Sequence, residues 1–225
     1  RQRQMCIRDS ELTDQLNTLS DSLGRDSDGL ADMGKDLQDR ARAAMFSLGA
    51  TYPELSGYYP QPKGLLFPAF LSVQNLSGIY SPFTIEANYN SAMVSYNLPF
   101  TICHELSHLR GFMQEEEANF IGFLACVNAD DTAFNYSGYL LGWIYATNEL
   151  YEVDYDTFEE IYNRLSDNVK ADLSANSSFW KRYDSKVAEV SGQINDHYLK
   201  ANGQNDGIKS YDRMVDLMIT WFRSK

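Results

Sequence analysis

The chain has 225 residues, 44% hydrophobic and 13% aromatic, enough to bury the core of one domain of ordinary size. Its 31 acidic residues outnumber the 19 basic ones for a formal net charge of -12, which argues against nucleic-acid binding and reads as a solubilising charge. Three cysteines (Cys6, Cys103, Cys126) make no disulfide framework, and no apolar run approaches the length of a transmembrane helix.

The opening Arg1-Gln-Arg-Gln-Met-Cys-Ile-Arg-Asp-Ser10 is out of keeping with the rest of the chain. It is read as a non-native leader (1–10), with a native N-terminal part expected to be missing. From Glu11, Leu12, Leu16, Leu19 and Leu23 form a helical stripe that stops at Gly24. A second stripe runs Leu30, Met33, Leu37, Ala41, Ala44, Met45 and Leu48 and ends at Gly49. These two amphipathic helices make an N-terminal helical segment, 11–50, ahead of a larger domain, 51–225.

Tyr52 to Gln61, rich in Tyr, Pro and Gly, is a loop. From Lys63 to Asn97 short apolar pieces alternate with turn signals, and Pro68 and Pro82 restrict any strand to an edge or an interrupted piece. The expectation is α+β: a mainly helical domain with a small, irregular antiparallel sheet just before its central helix. Ser81 to Asn90 is the candidate sheet edge, with Asn88 and Asn90 the candidates for holding a substrate backbone. The central helix is predicted from Pro99 to Gly111 and the next from Gln114 to Asn128. Tyr136 to Tyr151 reads as a buried helix and Tyr155 to Phe179 as two short ones. Trp180 to Leu199 is a longer helix, Ala201 to Gly207 a loop. Ser210 to Phe222 is a last helix with Met214, Leu217, Met218 and Trp221 inward.

The central helix carries His104-Glu-Leu-Ser-His108. Positions i and i+4 stack on one helical face, so the two imidazoles can converge on one ion. Glu105 is rotated about 100° from His104, which sets a carboxylate at the ion's edge as a base rather than a ligand. Two of the chain's 3 histidines lie in this motif. Hydrolytic zinc takes three protein ligands and keeps one open position. A third histidine six residues after His108 is ruled out because Gln114 stands there, and a neutral amide is a poor zinc ligand. A glutamate from the following helix remains. Glu115, just past the turn, is the chosen ligand and Glu116 the alternative. Asn119, four residues after Glu115, is placed to accept the second ring N–H of a ligating histidine. Tyr211 and His197 are the candidate donors to a developing oxyanion.

Taken together, His104-Glu-Leu-Ser-His-Leu-Arg-Gly111 and Glu115-Glu-Glu-Ala-Asn-Phe120 resemble the bacterial domain-of-unknown-function 3810 family. Its members look like HELAHQRG followed by EDEANF. Ser81-Pro-Phe-Thr-Ile-Glu-Ala-Asn-Tyr-Asn90, Tyr136-Ser-Gly-Tyr139 and Tyr198-Leu-Lys-Ala-Asn-Gly-Gln204 with Ser210-Tyr211 agree, so the likeness spans roughly Tyr52 to the C-terminus. The Glu-x-x-Ala-Asn element is also similar to that of gluzincin-type metallopeptidases, where the first Glu binds zinc. The resemblance implies a zincin-like protease domain, with Glu115 as ligand and Asn119 behind the histidine. It also implies a membrane association through an N-terminal segment that this chain lacks.

The expected function is a zinc-dependent metallopeptidase acting on a peptide or protein substrate, with Zn2+ as cofactor and Glu105 as general base. It would be membrane-associated at full length, although the chain itself is soluble. The alternatives are a non-catalytic zinc-binding sensor and a metal-dependent amidase acting on a non-peptide cell-wall bond.

Overall fold

The computed structural model describes residues 2–184 and 211–224. Helix α1 spans Gln2–Ser22, continuous through the positions read from the sequence as a leader, and α2 spans Leu37–Thr51. A 3-10 turn, Pro53–Leu55, precedes strand β1 (Lys63–Gly64), the short helix α3 (Ala69–Val73), and strands β2 (Gly78–Ser81) and β3 (Glu86–Tyr89). The remaining described elements are helical: α4 (Asn97–His108), α5 (Glu115–Val127), α6 (Thr132–Val153), α7 (Tyr155–Asn163), α8 (Asp167–Lys181) and α9 (Tyr211–Ser224). The class is α+β, mostly helical with one small sheet. No described helix is long and apolar enough to cross a membrane.

Helix α4 is the centre of the molecule. It packs against α2, α5 and α6 and against β2 and β3. Every residue from Pro99 to His108 is buried, the pattern of a helix surrounded on all sides. Around it Tyr96, Ile102, Leu106, Phe123, Phe134, Tyr136 and Leu140 are sealed from solvent, with Leu16 from α1, Met45 from α2 and Met214 from α9. The helix ends at His108, three residues before the stop expected at Gly111, and Gly111 at φ 90° reverses the chain after a short turn. The chain then turns back along α4 as α5. There Gly122 lets the two helices close: a Cβ at this position would lie 3.3 Å from the backbone of both His104 and Phe100.

Two expectations need correction. The sheet is mixed, in the order β1-β3-β2, because β1 runs parallel to β3 while β2 runs antiparallel. A crossover through α3, rather than a tight hairpin, joins β1 to the rest. The second N-terminal stripe is only half helical. Ala31 and Met33 are buried at alternate positions, the two-residue period of extended chain. Ala31 bridges to Arg25, and Asp36 at φ 56° turns the chain into α2.

Candidate metal centre

The two histidines of α4 stand one turn apart with ring centroids 4.8 Å from each other and planes at 87°. Their Nε2 atoms face the same point, 3.2 Å apart. Glu115 opens α5 just past the turn and reaches back to them. One carboxylate oxygen lies 3.3 Å from His104 Nε2 and the other 3.7 Å from His108 Nε2. Among the described residues these three form a candidate metal-holding group, with ligand atoms within 4.8 Å of one another. Zinc–nitrogen bonds of ~2.0–2.1 Å at tetrahedral angles put adjacent ligand atoms ~3.3 Å apart, so the spacing fits such an ion. Two imidazoles and a carboxylate are also a donor set that zinc accepts.

The partners behind the ligands favour the same reading. His108 Nδ1 lies 2.7 Å from the Phe112 carbonyl. That contact fixes the proton on Nδ1 and leaves the Nε2 lone pair for a cation. Asn119 follows Glu115 by one turn and lies beside His104, where its amide helps hold the ring's charge. The bond is not closed, however: His104 Nδ1 and Asn119 Nδ2 are both buried without a hydrogen-bond partner. Glu116, the alternative ligand, points elsewhere. It is buried and pairs with Arg213 of α9 at 3.0 Å.

Glu105 sits where the sequence put it, off the ligand face, with one oxygen 4.0 Å from His104 Nε2. The other oxygen, Oε2, is buried and has no partner. Above it lies the start of β2. A Cβ on Gly78 would collide with Glu105 Oε1, so the strand holds the carboxylate down. Tyr80, two residues on and therefore on the same face of the strand, has its ring 6.0 Å from His108. Sequence reasoning missed Gly78, Tyr80 and the Phe112 carbonyl. Only the position of the small sheet in the pattern, ahead of the motif helix, pointed towards the first two.

Charge is arranged unevenly across the site. Burial lowers His104, but the hydrogen bond and charge of Glu115, with Glu105 and Asn119, carry it net above its ordinary value. Burial and the neighbouring His104 charge drive His108 down to about 4. Burial pushes Glu115 up, and the two histidines more than reverse that, leaving it lowered. Burial raises Glu105 to about 8, against the pull of His104. The cluster thus keeps Glu115 anionic and His108 neutral, the forms in which a carboxylate and an imidazole can bind a metal. These residues could hold a divalent cation, and the unpartnered Oε2 of Glu105 lies beside them.

The other candidates fall away from this centre or outside what is described. Asn88 lies on β3, the middle strand, between Lys63 and Ile79, so it is not at the sheet edge. Asn90 is buried, donating to Ser72 Oγ at 2.8 Å and the Leu76 carbonyl at 3.2 Å while accepting from Ala92 N–H at 3.1 Å. Asn88 is built into the sheet and Asn90 into the turn that follows it, and the edge beside the site belongs to β2 instead. His197 lies outside the described residues. Tyr211 begins α9, and its side chain is likewise outside them.

No curated protein and no solved structure matches the chain. Residues 3–219 match the model described as Protein of unknown function (DUF3810), and the chain belongs to that family.

Proposed function

We propose that the protein is a zincin-like, zinc-dependent metallopeptidase. The observation that carries this reading is the convergence of His104, His108 and Glu115 within 4.8 Å, beside a carboxylate with one oxygen free. A zinc ion held by these three residues would supply Lewis acidity, lowering the pKa of an attacking water towards 7 and polarising the scissile carbonyl. The chain's own groups do the rest. Glu105 takes the water's proton on Oε2 and returns it to the leaving nitrogen. His108 is held in one tautomer by the Phe112 carbonyl and keeps its Nε2 directed at the centre. β2, with one side unpaired among the described strands, offers backbone donors and acceptors to an extended peptide beside Glu105. Tyr80 on the same strand provides an aromatic wall next to His108.

Zinc-loaded wild type and Glu105→Gln, incubated with a mixed peptide library, test the reading. The wild type cleaves. The variant retains its zinc and loses cleavage by about 10²–10⁴-fold, the usual contribution of a positioned base. A variant that cleaves as well as wild type, or a zinc-loaded wild type that cuts no peptide, would contradict the peptidase reading.

A further inference from the structure

The segment between Glu54 and Glu86 differs from the rest of the molecule. The chain carries 31 acidic residues, yet residues 55–85 contain none. Their one charged side chain, Lys63, is paired with Glu86. Among the described residues, the same segment carries most of the large apolar side chains that stand in water. Leu66 is 91% exposed, Phe67 79% and Phe83 97%, with Phe70, Ile79 and Ile85 also exposed. Large apolar surface left in solvent marks an interaction site.

We propose that this face docks on a lipid bilayer. The apolar side chains stand on two separate projections of the small sheet. Leu66, Phe67 and Phe70 lie between β1 and the end of α3, and Phe83 and Ile85 lie in the turn from β2 to β3. Ile79 lies on the strand between them, on the face opposite Gly78 and Tyr80. Projections of this kind enter the acyl boundary individually, whereas a protein partner would need a matched hollow for each. The residues between them are Ser, Thr, Pro, Gly, Gln and Asn, neutral groups compatible with the headgroup layer, and Tyr58 adds an interfacial aromatic. Charge orients the molecule: the acidic remainder is repelled by an anionic leaflet, while residues 55–85 add no acidic side chain and the adjoining Glu86 is paired with Lys63. The inference does not depend on catalysis. It does place the centre next to the bilayer, because Gly78 of the same sheet lies on Glu105.

Flotation of the full chain with phosphatidylcholine vesicles, and with vesicles also containing phosphatidylserine, tests the proposal. The wild type floats with both and remains bound at high salt, since the contact is apolar. The double variant Phe67→Ser with Phe83→Ser loses at least tenfold in partitioning, and so does the pair Leu66→Ser with Ile85→Ser. Phe46→Ser, at a position on α2 that is 72% exposed, floats as wild type does. Equal melting temperatures across the set show that the substitutions left the fold intact. A wild type that stays in solution, or a Phe46→Ser variant that loses as much as the double variants, overturns the proposal. So does a wild type that ignores vesicles but self-associates through Phe67 and Phe83, which assigns the face to a second copy.

Discussion

Gly78 has room for a hydrogen and little more. The atoms a Cβ would strike, Oε1, Cδ and Cγ, all belong to the Glu105 side chain, so that side chain must change rotamer while the backbone on either side can stay. Gly78→Ala is therefore expected to leave the melting temperature and zinc content nearly unchanged while displacing the base. Its kcat should fall at least tenfold with KM little altered, as steady-state kinetics on any cleaved peptide will show. A fall in zinc content instead would mean that the residue supports the fold of the site rather than the position of Glu105. The histidine pair and Glu105 were legible in the sequence because their geometry is local, set by one turn of one helix. Glu115 was nearly so, being one short turn away. Gly78 was not, because its contact depends on how a strand lies over a helix. The Phe112 carbonyl carries no side-chain signal, and nothing local separates a buried, satisfied amide such as Asn90 from one offered to a ligand.

Among the elements, α6 has the most explicit start signal. Asp131 accepts from the backbone N–H groups of Ala133 at 3.0 Å and Phe134 at 3.3 Å, and it also takes a two-pronged ion pair from Arg40 of α2 at 2.7 Å. Burial alone would raise this carboxyl, but the Arg40 and backbone hydrogen bonds bring it net below its ordinary value. A carboxyl whose folded pKa is depressed stabilises the fold above its unfolded pKa and loses that contribution as pH falls through the folded value. Asp131→Ala should then cost about 1–2 kcal/mol at neutral pH, the usual range for a lost cap. Urea titrations should show the difference from wild type narrowing below about pH 3.8; a difference that stays constant with pH would assign the loss to packing alone. The helices were the legible part of the fold because their stripes and stops are written within each element. The parallel pairing of β1 with β3 was not, since strands of two and four residues carry too little pattern to fix direction. The stretch from Leu30 to Asp36 was misread because apolar residues two apart and three apart look alike until Gly34 and Asp36, both at positive φ, interrupt the helix.

Across the whole molecule, one fully buried carboxylate ties distant parts of the chain together. Asp172 of α8 accepts from Ala31 N–H at 2.9 Å, Arg25 Nη1 at 2.8 Å and Tyr136 Oη at 2.5 Å, joining the segment after α1, α6 and α8. Removing it leaves the partly buried Arg25 guanidinium and the Ala31 N–H and Tyr136 hydroxyl without their shared acceptor, which costs about 3–5 kcal/mol. At ~2–4 °C per kcal/mol for a chain of this size, Asp172→Ala should lower the melting temperature by roughly 10 °C; a shift of only a degree or two would show the network to be dispensable. This network braces α6, which packs against both α4 and α5, the hairpin that carries the candidate metal centre. Metal stoichiometry is the decisive test of that centre. Wild type, His108→Ala and Glu115→Gln are saturated with zinc, dialysed free of excess, and assayed for bound metal. Convergence of the three side chains on one ion predicts one zinc per wild-type chain, none retained by His108→Ala, and at least a tenfold loss of affinity in Glu115→Gln. A wild type that holds no zinc, or a Glu115→Gln variant that holds it as tightly, would contradict it.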